Sequence, residues 1–180
     1  MRELINVKRL FGKRIIIGFV DDDFCAKSNE EIKAFCNRYE EYVGLPFFCA
    51  STPSSINKEK IGALISAGLV RLEMGIQTTS DKINKEIDNM PVLMEKAVEA
   101  IKFLEKYRYK VDLCFDFILD NPWEKEDTLI ESLNFILTIK KLVSILLFSL
   151  TLCPGTILYE RGTKESLLKM KCLKYMLKTI

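Results

Sequence analysis

Residues 68–77, with the sequence GLVRLEMGIQ, and residues 111–120, VDLCFDFILD, decide the predicted fold. Each is a short run rich in β-branched and aromatic residues, and a helical pattern follows each of them. Three further runs repeat this order, so strands are predicted at 15–20, 46–50, 69–76, 111–119 and 144–152. Because strands that alternate with helices form right-handed βαβ units, we predict one parallel sheet.

The predicted helices carry start and stop signals. Predicted capping residues are Ser28 with Glu31, Asn57, Thr128 with Glu131, and Thr156, and Pro91 is predicted at a first helical position. Gly44 and Gly68 are predicted to end two helices. Two more helices are predicted at 2–11 and at 164–180, and we expect the second to dock on the sheet or on a partner through one apolar face.

The length of the chain limits how much of a barrel it can form. An eight-fold β/α barrel uses about 250 residues, so the 180 residues of this chain have room for about six units. We therefore predict an α/β fold, a partial, TIM-like barrel of parallel strands with about five to six strand–helix units, open and truncated. No linker-like segment interrupts the pattern, so residues 1–180 are predicted to form a single domain.

Composition excludes several classes of function. The chain has no histidine, which excludes Ser-His-Asp and Cys-His catalytic pairs and histidine zinc sites. Its 27 basic and 25 acidic residues give a net charge of +2, too small to predict a nucleic-acid or membrane partner. No apolar run approaches the roughly 20 residues of a membrane span, and the amino terminus lacks a secretory signal. We expect a soluble, cytoplasmic protein.

The six cysteines are widely spaced, and no two are closer than 11 positions. Without a CxxC motif, the sequence predicts neither a zinc ribbon nor a local cluster-binding loop. Cys49, Cys114 and Cys153 fall in strand-like runs and are interpreted as buried free thiols rather than as parts of disulfides.

One face of the predicted sheet is polar. Successive residues of a strand point to opposite faces, and we predict that the apolar face, with Val70, Leu146 and Phe148, packs against the helices. The opposite, concave face would carry Arg71, Glu73, Gln77, Asp112, Asp116, Asp120, Ser149 and Thr151. These groups would line a wet cavity or bind a polar ligand, or they would pair among themselves with Arg71 between two carboxylates.

Four motifs follow the predicted strands, at the edge where parallel β/α folds place their ligands. They are VDDDF at 20–24, GLVRLEMGIQT at 68–78, DFILDNPWE at 116–124 and TLCPGTILYE at 151–160. The three aspartates either bind a cation or an ammonium group or form a solvated turn. Gly75 either admits a ligand close to the backbone or marks a β-bulge. Glu124 either belongs to the site or is a first-turn acid favoured by the helix dipole.

Together the motifs resemble those of the radical S-adenosylmethionine (SAM) superfamily, especially the branch whose members often carry a cobalamin-binding domain. The matches are residues 19–24 with F-x-D-D-x-F, 64–78 with L-x-x-A-G-x₆-G-I-Q-S, 116–124 with D-F-I-x-G-x-P-x-E and 154–159 with P-G-T-x-L-Y. Thr78 replaces the usual serine of the second motif, and Asp120 replaces the usual glycine of the third. The resemblance covers about residues 14–160.

This resemblance implies a partial (β/α)₆ barrel that binds SAM across the carboxyl ends of its strands. It would place the methionyl ammonium near 21–23, the ribose and carboxylate near Ser51 and 75–77, and the adenine between 117–119 and 151–156. The implied cofactor-binding residues are Asp21, Asp22, Asp23, Ser51, Glu73, Gly75, Ile76, Gln77, Asp116, Ile118, Glu124, Thr151 and Pro154.

The sequence lacks one motif of that family, the C-x₃-C-x₂-C loop that holds a [4Fe–4S] cluster. The resemblance therefore implies a core fragment of a radical SAM enzyme, inactive alone, which generates a 5′-deoxyadenosyl radical only with the missing cluster segment. Implied cofactors are SAM, the cluster in the full-length protein only, and cobalamin through a missing domain. The open edge beside 15–20 would pair with the remaining polypeptide or with a second copy.

Two other interpretations stay open on the sequence. A receiver-like phosphoacceptor domain would use aspartates after two strands, but 95 residues separate Asp21 from Asp116, too many for a compact receiver. A non-catalytic binding module on the same barrel would need none of the rim aspartates for partner binding.

Overall fold

The computed structural model of the chain describes residues 1–87, 94–139 and 143–167. Its helices are α1 (Arg2–Phe11), α2 (Asn29–Tyr42), α3 (Lys58–Ser66), α4 (Asp81–Glu86), α5 (Met94–Leu104), α6 (Glu126–Thr138) and α7 (Ile157–Lys164). Its strands are β1 (Ile17–Phe19), β2 (Phe47–Ser51), β3 (Leu69–Gln77), β4 (Asp112–Ile118) and β5 (Ser144–Phe148). Short 3-10 helices lie at Phe24–Ala26 and Glu105–Tyr107.

The five strands form one parallel sheet in the order β1-β2-β3-β4-β5. Each strand pairs with the next one along the chain, and the described part of the sheet is open at β1 and β5. The predicted α/β fold, an open and partial barrel of parallel strands, is confirmed. β1 and β5 are shorter than the predicted 15–20 and 144–152, and in the described part of the chain each of these edge strands pairs on one side only.

An aromatic cluster fills the space between the first two strands and α2. Its members are Phe19, Phe24, Phe35, Tyr39 and Phe47, and the centroids of neighbouring rings lie between 5.0 and 6.4 Å apart. Most of these pairs are tilted or edge-to-face, an arrangement that adds to the stabilisation from apolar burial. The cluster fixes β1 and β2 against α2, and so positions the loops at the carboxyl ends of these strands.

Most of the predicted helix ends are confirmed. Ser28 and Glu31 form the reciprocal capping box of α2, with hydrogen bonds of 2.9 and 3.2 Å. Asn57 caps α3, and its side chain accepts a hydrogen bond from the Lys60 backbone N–H at 2.9 Å. Positive φ angles occur at the two predicted terminal glycines, Gly44 and Gly68.

The capping box predicted at Thr128 is wrong. α6 begins at Glu126, with Lys125 as the N-cap residue and no side-chain cap hydrogen bond, so that Thr128 lies inside the first turn. Glu126 and Asp127 occupy this turn, where the positive end of the helix dipole stabilises acidic side chains. The start of the helix is therefore three residues earlier than the capping motif indicates.

The faces predicted for β5 are reversed in the structure. Asp116 pairs in register with Leu146, and Ile118 pairs with Phe148, so these β5 residues lie on the concave face. Ile145, on the opposite face, packs against the buried core. Because β5 is apolar on both faces, alternation of polar and apolar residues could not distinguish them.

Val70 also departs from its predicted position, since it is 36% exposed rather than packed against a helix. The pairing of β2 with β3 shifts between Phe47 and Phe48, which pair with Leu69 and Arg71. This shift leaves Val70 as the extra residue of a β-bulge, outside the alternation of the strand.

Four of the described cysteines, Cys25, Cys36, Cys49 and Cys114, are buried free thiols. Cys153 is free but exposed, so its predicted burial is wrong. It follows the end of β5 and precedes α7, in a turn rather than in the sheet.

No helix within residues 1–87, 94–139 and 143–167 combines the length and the apolar character needed to cross a membrane. The predicted first-position Pro91 lies outside the described residues, as does most of the helix predicted at 164–180. Of its described residues, 164–167, only Lys164 belongs to α7, and Glu165 is the C-cap of that helix.

Candidate functional site

The carboxyl ends of the strands lie along one edge of the sheet, because all five strands are parallel. The segments that leave this edge, here called the rim, are 20–24, 51–57, 76–80, 119–125 and 149–156. The rim therefore brings together the four predicted motifs, which are far apart in the sequence. Ligands of parallel β/α folds bind at this edge.

Asp23, in the acidic turn after β1, accepts three hydrogen bonds from the segment after β2. The hydroxyls of Ser51, Thr52 and Ser55 donate to its carboxylate at 2.8, 2.7 and 2.7 Å. Burial opposes ionisation of Asp23, but these hydrogen bonds outweigh it and hold the pKa below its ordinary value. Asp23 is thus an ionised carboxylate that joins two neighbouring rim segments.

The other two aspartates of the turn are exposed. Asp21 lies 3.6 Å from the ammonium group of Lys27, both side chains being about half exposed, and such an exposed pair is weak. Asp22 has no hydrogen bond or ion pair within the described part of the chain. Of the three, Asp22 is the carboxylate least committed to other groups of the protein.

The tip of β3 contains a β-bulge, which is one of the two alternatives predicted for Gly75. The pairing with β4 shifts between Gly75 and Gln77, and Gln77 has a φ of 66°. A Cβ atom at Gly75 would lie 2.7 Å from Nε2 of Gln77, so a side chain at this position would displace that of Gln77. Ile76 is 3% exposed, and it can reach the rim only through its backbone.

A buried polar network holds the end of β3 against the loop after β4 and against α6. Thr78, 1% exposed, donates its hydroxyl hydrogen to Glu124. The backbone N–H of Thr79 donates to the Ser132 hydroxyl at 3.1 Å, and the Asn84 amide donates to the Thr78 carbonyl at 3.1 Å. Ser132 and Asn84 belong to no sequence motif, and only their burial in the fold identifies them as parts of this network.

Glu124 connects the loop after β4 to the end of β3 through its hydrogen bond with Thr78. Burial raises its pKa, and the hydrogen bond from Thr78 lowers it only in part. One of its oxygens, Oε2, is buried and has no hydrogen-bond partner among the described residues. Because α6 begins at Glu126, Glu124 precedes the helix, and the first-turn interpretation of this residue is wrong.

The concave face of the sheet carries a polar band centred on Arg71. Its guanidinium lies 3.0 Å from Glu73 and 3.4 Å from Asp112, so the arrangement with Arg71 between two carboxylates is present. The guanidinium also donates to the Cys114 sulfur at 3.4 Å, and that thiol lies 3.8 Å from Asp116. Burial raises the pKa of Cys114 to about 11, although the nearby Arg71 lowers it, so the group is a thiol at neutral pH.

Asp116 is the least compensated carboxylate of the band. Burial, and then the negative charge of Glu73, raise its pKa to about 6, and the weak hydrogen bond from the Cys114 thiol opposes this shift only in part. A group whose pKa is raised on folding stabilises the protein at low pH, and this contribution is lost as the pH rises through the folded-state value. For Asp116 the loss falls between its ordinary value of 3.8 and about 6.

We therefore expect the free energy of unfolding of Asp116→Asn to rise, relative to that of the native chain, as the pH rises from 4 to 7. Asparagine resembles the protonated carboxyl and removes the repulsion from Glu73 at higher pH. Urea unfolding of both proteins at several pH values measures the difference. Glu131→Gln, at an exposed position in the middle of α6, is the control and should leave the difference in free energy of unfolding nearly constant. If the free energy of unfolding of Asp116→Asn falls relative to that of the native chain as the pH rises, Asp116 is not destabilised as an anion.

The segment after β5 is organised by Asp120, the residue that replaces a glycine of the motif. Its carboxylate accepts hydrogen bonds from the Leu150 backbone N–H at 2.7 Å and from the Ser149 hydroxyl. Ser149 therefore does not line the concave face as predicted, but pairs with Asp120 beyond the end of β5. Thr151 and Pro154 are exposed on the turn that leads to α7.

Thr156 caps α7 as predicted, and accepts a hydrogen bond from the Tyr159 backbone N–H at 3.2 Å. Trp123 anchors the other end of this helix. Its indole N–H donates to Glu165 at 2.6 Å, and the guanidinium of Arg161 lies 5.0 Å from the ring centroid. The rim loop that contains Trp123 is thereby tied to α7.

The described cysteines do not fit a [4Fe–4S] cluster. Cys25, Cys36 and Cys49 are buried in the hydrophobic core, where burial raises the pKa of each thiol. A cluster needs several thiolates at close range, and Cys114 is instead paired with Arg71. Within the described residues, no group of three cysteine, aspartate or glutamate side chains could hold a metal ion.

Two depressions of the surface lie away from the rim. One, of about 450 Å³, is at the amino ends of β4 and β5, and it is lined by Arg108, Tyr109, Lys110, Val111, Asp112, Val143 and Ser144. The other, of about 570 Å³, lies between α1 and α2. Neither is lined by a predicted cofactor-binding residue.

Solved structures similar to this chain share its fold. Coproporphyrinogen III oxidase HemN from Escherichia coli, a radical SAM enzyme, has a TM-score of 0.69 at 14% identity, and the match covers 89% of this chain and 38% of HemN. The radical SAM methyltransferase TsrM from Kitasatospora setae, with cobalamin and a [4Fe–4S] cluster bound, has a TM-score of 0.64 at 12% identity, with 81% of this chain and 29% of TsrM covered.

Elp3 from the archaeon Methanocaldococcus infernus has a TM-score of 0.62 at 14% identity, and the match covers 91% of this chain and 44% of Elp3. The chain thus spans less than half the length of each of these three proteins. No curated protein matches the sequence significantly.

The sequence profile of the Radical SAM superfamily matches residues 1–136. This region contains β1 to β4 and three of the four rim motifs. The chain belongs to the Radical SAM superfamily.

Proposed function

We propose that this chain is the SAM-binding core of a radical SAM enzyme, with SAM lying across the rim. The observation that carries the proposal is the convergence of the family motifs on one edge of an open parallel sheet. As the sequence analysis predicts, the ammonium group would face the turn 21–23, and the ribose and carboxylate would lie near Ser51 and the tip of β3. The adenine would lie between 117–119 and the turn 151–156.

The chemistry of these groups supports the assignment. SAM carries a sulfonium and an ammonium cation, and carboxylates outnumber basic groups on the concave face and at the rim. Of these carboxylates, Asp22 and Asp116 have no salt bridge to a cation in the described residues. Ile118 is a half-buried apolar residue at the carboxyl end of β4, suited to a flat base. Glu124 holds the tip of β3 through its hydrogen bond with Thr78, and its other oxygen is buried, so we assign it to positioning that tip rather than to a contact with the ligand.

The iron–sulfur cluster that supplies the electron for SAM cleavage in this family is assigned to residues outside the described part of the chain. The buried or arginine-paired cysteines support this division. We propose that the remaining polypeptide pairs with the exposed edge of β1, where Ile16 and Val20 are 59% and 93% exposed. Membership of the cobalamin-binding branch is part of the same proposal and rests on the order and spacing of the four motifs.

Calorimetric titration with SAM tests the binding function. We expect a Kd in the micromolar-to-millimolar range, and weakening of about 10-fold or more in Ile118→Asp, because a charge would replace the apolar contact with adenine. Val70→Asp introduces the same charge at the amino end of β3 and should leave the Kd unchanged. Equal Kd values for all three proteins, or no binding by the native chain, would contradict the proposal.

Anaerobic reconstitution with iron and sulfide tests the assignment of the cluster. We expect no stoichiometric four-iron cluster and no 5′-deoxyadenosine from the isolated chain. Formation of both would show that its own cysteines are the ligands.

A non-catalytic binding module on the same fold is the second candidate. The incomplete cysteine set of the described residues favours it. Such a module would bind its partner equally well when Asp22 and Asp116 are neutralised, and it would show no response to SAM. The receiver interpretation fits less well, because β2 and β3 separate the strands that precede its two aspartates.

A further inference from the structure

We propose that Asp23 is a positioning residue, which fixes the segment 51–55 at the rim and leaves Asp22 as the carboxylate that meets the ammonium group of the ligand. This inference rests on the proposed SAM site and divides the acidic turn into two roles. The resemblance alone assigns one role to all three aspartates.

Both carboxylate oxygens of Asp23 are occupied by hydrogen bonds from the segment 51–55. Its Oδ1 accepts from Ser51 at 2.8 Å and from Ser55 at 2.7 Å, and its Oδ2 accepts from Thr52 at 2.7 Å. A carboxylate offers about four acceptor positions, so three donors leave it little capacity for a ligand. Hydrogen bonds to an ionised acceptor are also stronger than those between neutral groups.

The same cluster is tied to the strands and to α3. Ser51, the last residue of β2, is 2% exposed. The ammonium group of Lys60, in the first turn of α3, donates to the backbone carbonyls of Cys25 at 2.8 Å and Ser55 at 3.2 Å. Lys60 thus joins the chain after the acidic turn to the end of the segment 51–55, and Asp23 joins the same two segments from the other side.

Such a closed arrangement matters for binding because a rim segment that is already ordered need not be ordered by the ligand. In Asp23→Asn one acceptor oxygen becomes an amide donor and the remaining hydrogen bonds lose their charge assistance, so the segment 51–55 would sample other conformations. Binding of SAM would then weaken although Asp23 does not touch it. Asp22, which is exposed, offers its carboxylate directly.

The test is a double-mutant cycle on the Kd for SAM, measured well below the melting temperature of each variant. Asp22→Asn should weaken binding about 10-fold, the loss of one charge-assisted contact, with an unchanged Tm. Asp23→Asn should weaken binding by a similar factor, with a lowered Tm. Adding Ser55→Ala to Asp23→Asn should cause little further loss, although Ser55→Ala alone weakens binding, because both changes break the same link.

Tyr39→Phe is the matched control, because it removes a buried hydrogen bond of 3.0 Å to the Leu45 carbonyl, away from the rim. It should lower the Tm and leave the Kd unchanged. If Asp23→Asn fails to fold, Thr52→Val with Ser55→Ala removes two of the three donors and should weaken binding in the same way.

Three results would overturn the inference alone: an unchanged Kd in Asp23→Asn, additive losses for Asp23→Asn and Ser55→Ala, or an unchanged Kd in Asp22→Asn. The first would make Asp23 merely structural, and the second would make it a direct ligand contact. Absence of SAM binding by the native chain would overturn the proposed function as well, so that the two failures are distinguishable.

Discussion

Replacing Phe47 with alanine is expected to lower the free energy of unfolding by about 3–5 kcal/mol. Phe47 is fully buried in β2 and lies at the centre of the aromatic cluster. Its ring centroid is 5.0 Å from that of Tyr39 and 5.5 Å from that of Phe19. Truncation would leave a cavity between the sheet and α2 that these rigid rings cannot fill, and would loosen both strands that lead to the acidic turn and to Ser51.

Equilibrium unfolding in urea measures this loss. Phe11→Ala removes the same ring from a position that is 63% exposed at the end of α1, and it should cost no more than about 0.5 kcal/mol. Similar losses for the two variants would mean that the aromatic cluster is not the core of this half of the sheet.

The second large effect is expected at Glu124. Glu124→Ala would leave the buried hydroxyl of Thr78 without its acceptor and should destabilise the protein by about 1–3 kcal/mol. Thr78→Val, which removes the donor and leaves the carboxylate unpaired, should have a similar effect. Both changes would release the tip of β3 from the loop after β4, so we also expect weaker SAM binding.

Glu124→Gln separates the hydrogen bond from the charge. The glutamine carbonyl can still accept from Thr78, so this variant should be close to the native chain at neutral pH. Because burial raises the pKa of Glu124, the native protein loses stability as the pH rises from the ordinary value of 4.5 through the folded-state value. Over that pH interval, the free energy of unfolding of Glu124→Gln, measured in urea, should therefore rise relative to that of the native chain. If the free energy of unfolding of Glu124→Gln instead fell relative to that of the native chain as the pH rose, the native carboxylate would be stabilised as an anion.

The strands and the rim could be predicted where local pattern and tertiary environment agree. β3 and β4 alternate polar and apolar residues because one face packs against helices and the other faces the concave side. Ser28 and Asn57 were recognisable as caps because their side chains bond to backbone only a few residues away. The rim motifs were placed correctly because parallel strands must end at one edge.

Other features depend on contacts that no local pattern records. β5 is apolar on both sides, so its faces were assigned the wrong way round. Ser132 occurs on an amphipathic helix, and only the fold buries it against Thr79. The bond between Asp23 and Ser51 spans 28 positions, so the sequence could not show that these two predicted ligand contacts are hydrogen-bonded to each other.

Two-dimensional NMR of the ¹⁵N-labelled chain during titration with SAM shows which residues the ligand contacts. The account predicts that the amide signals that move belong to the rim, in the segments 21–23, 51–55, 75–78, 117–124 and 151–156. Signals of 108–112, at the opposite ends of the strands, should stay in place. Shifts confined to that opposite end, or a spectrum that saturating SAM leaves unchanged, would contradict a nucleoside site at the carboxyl edge of this sheet.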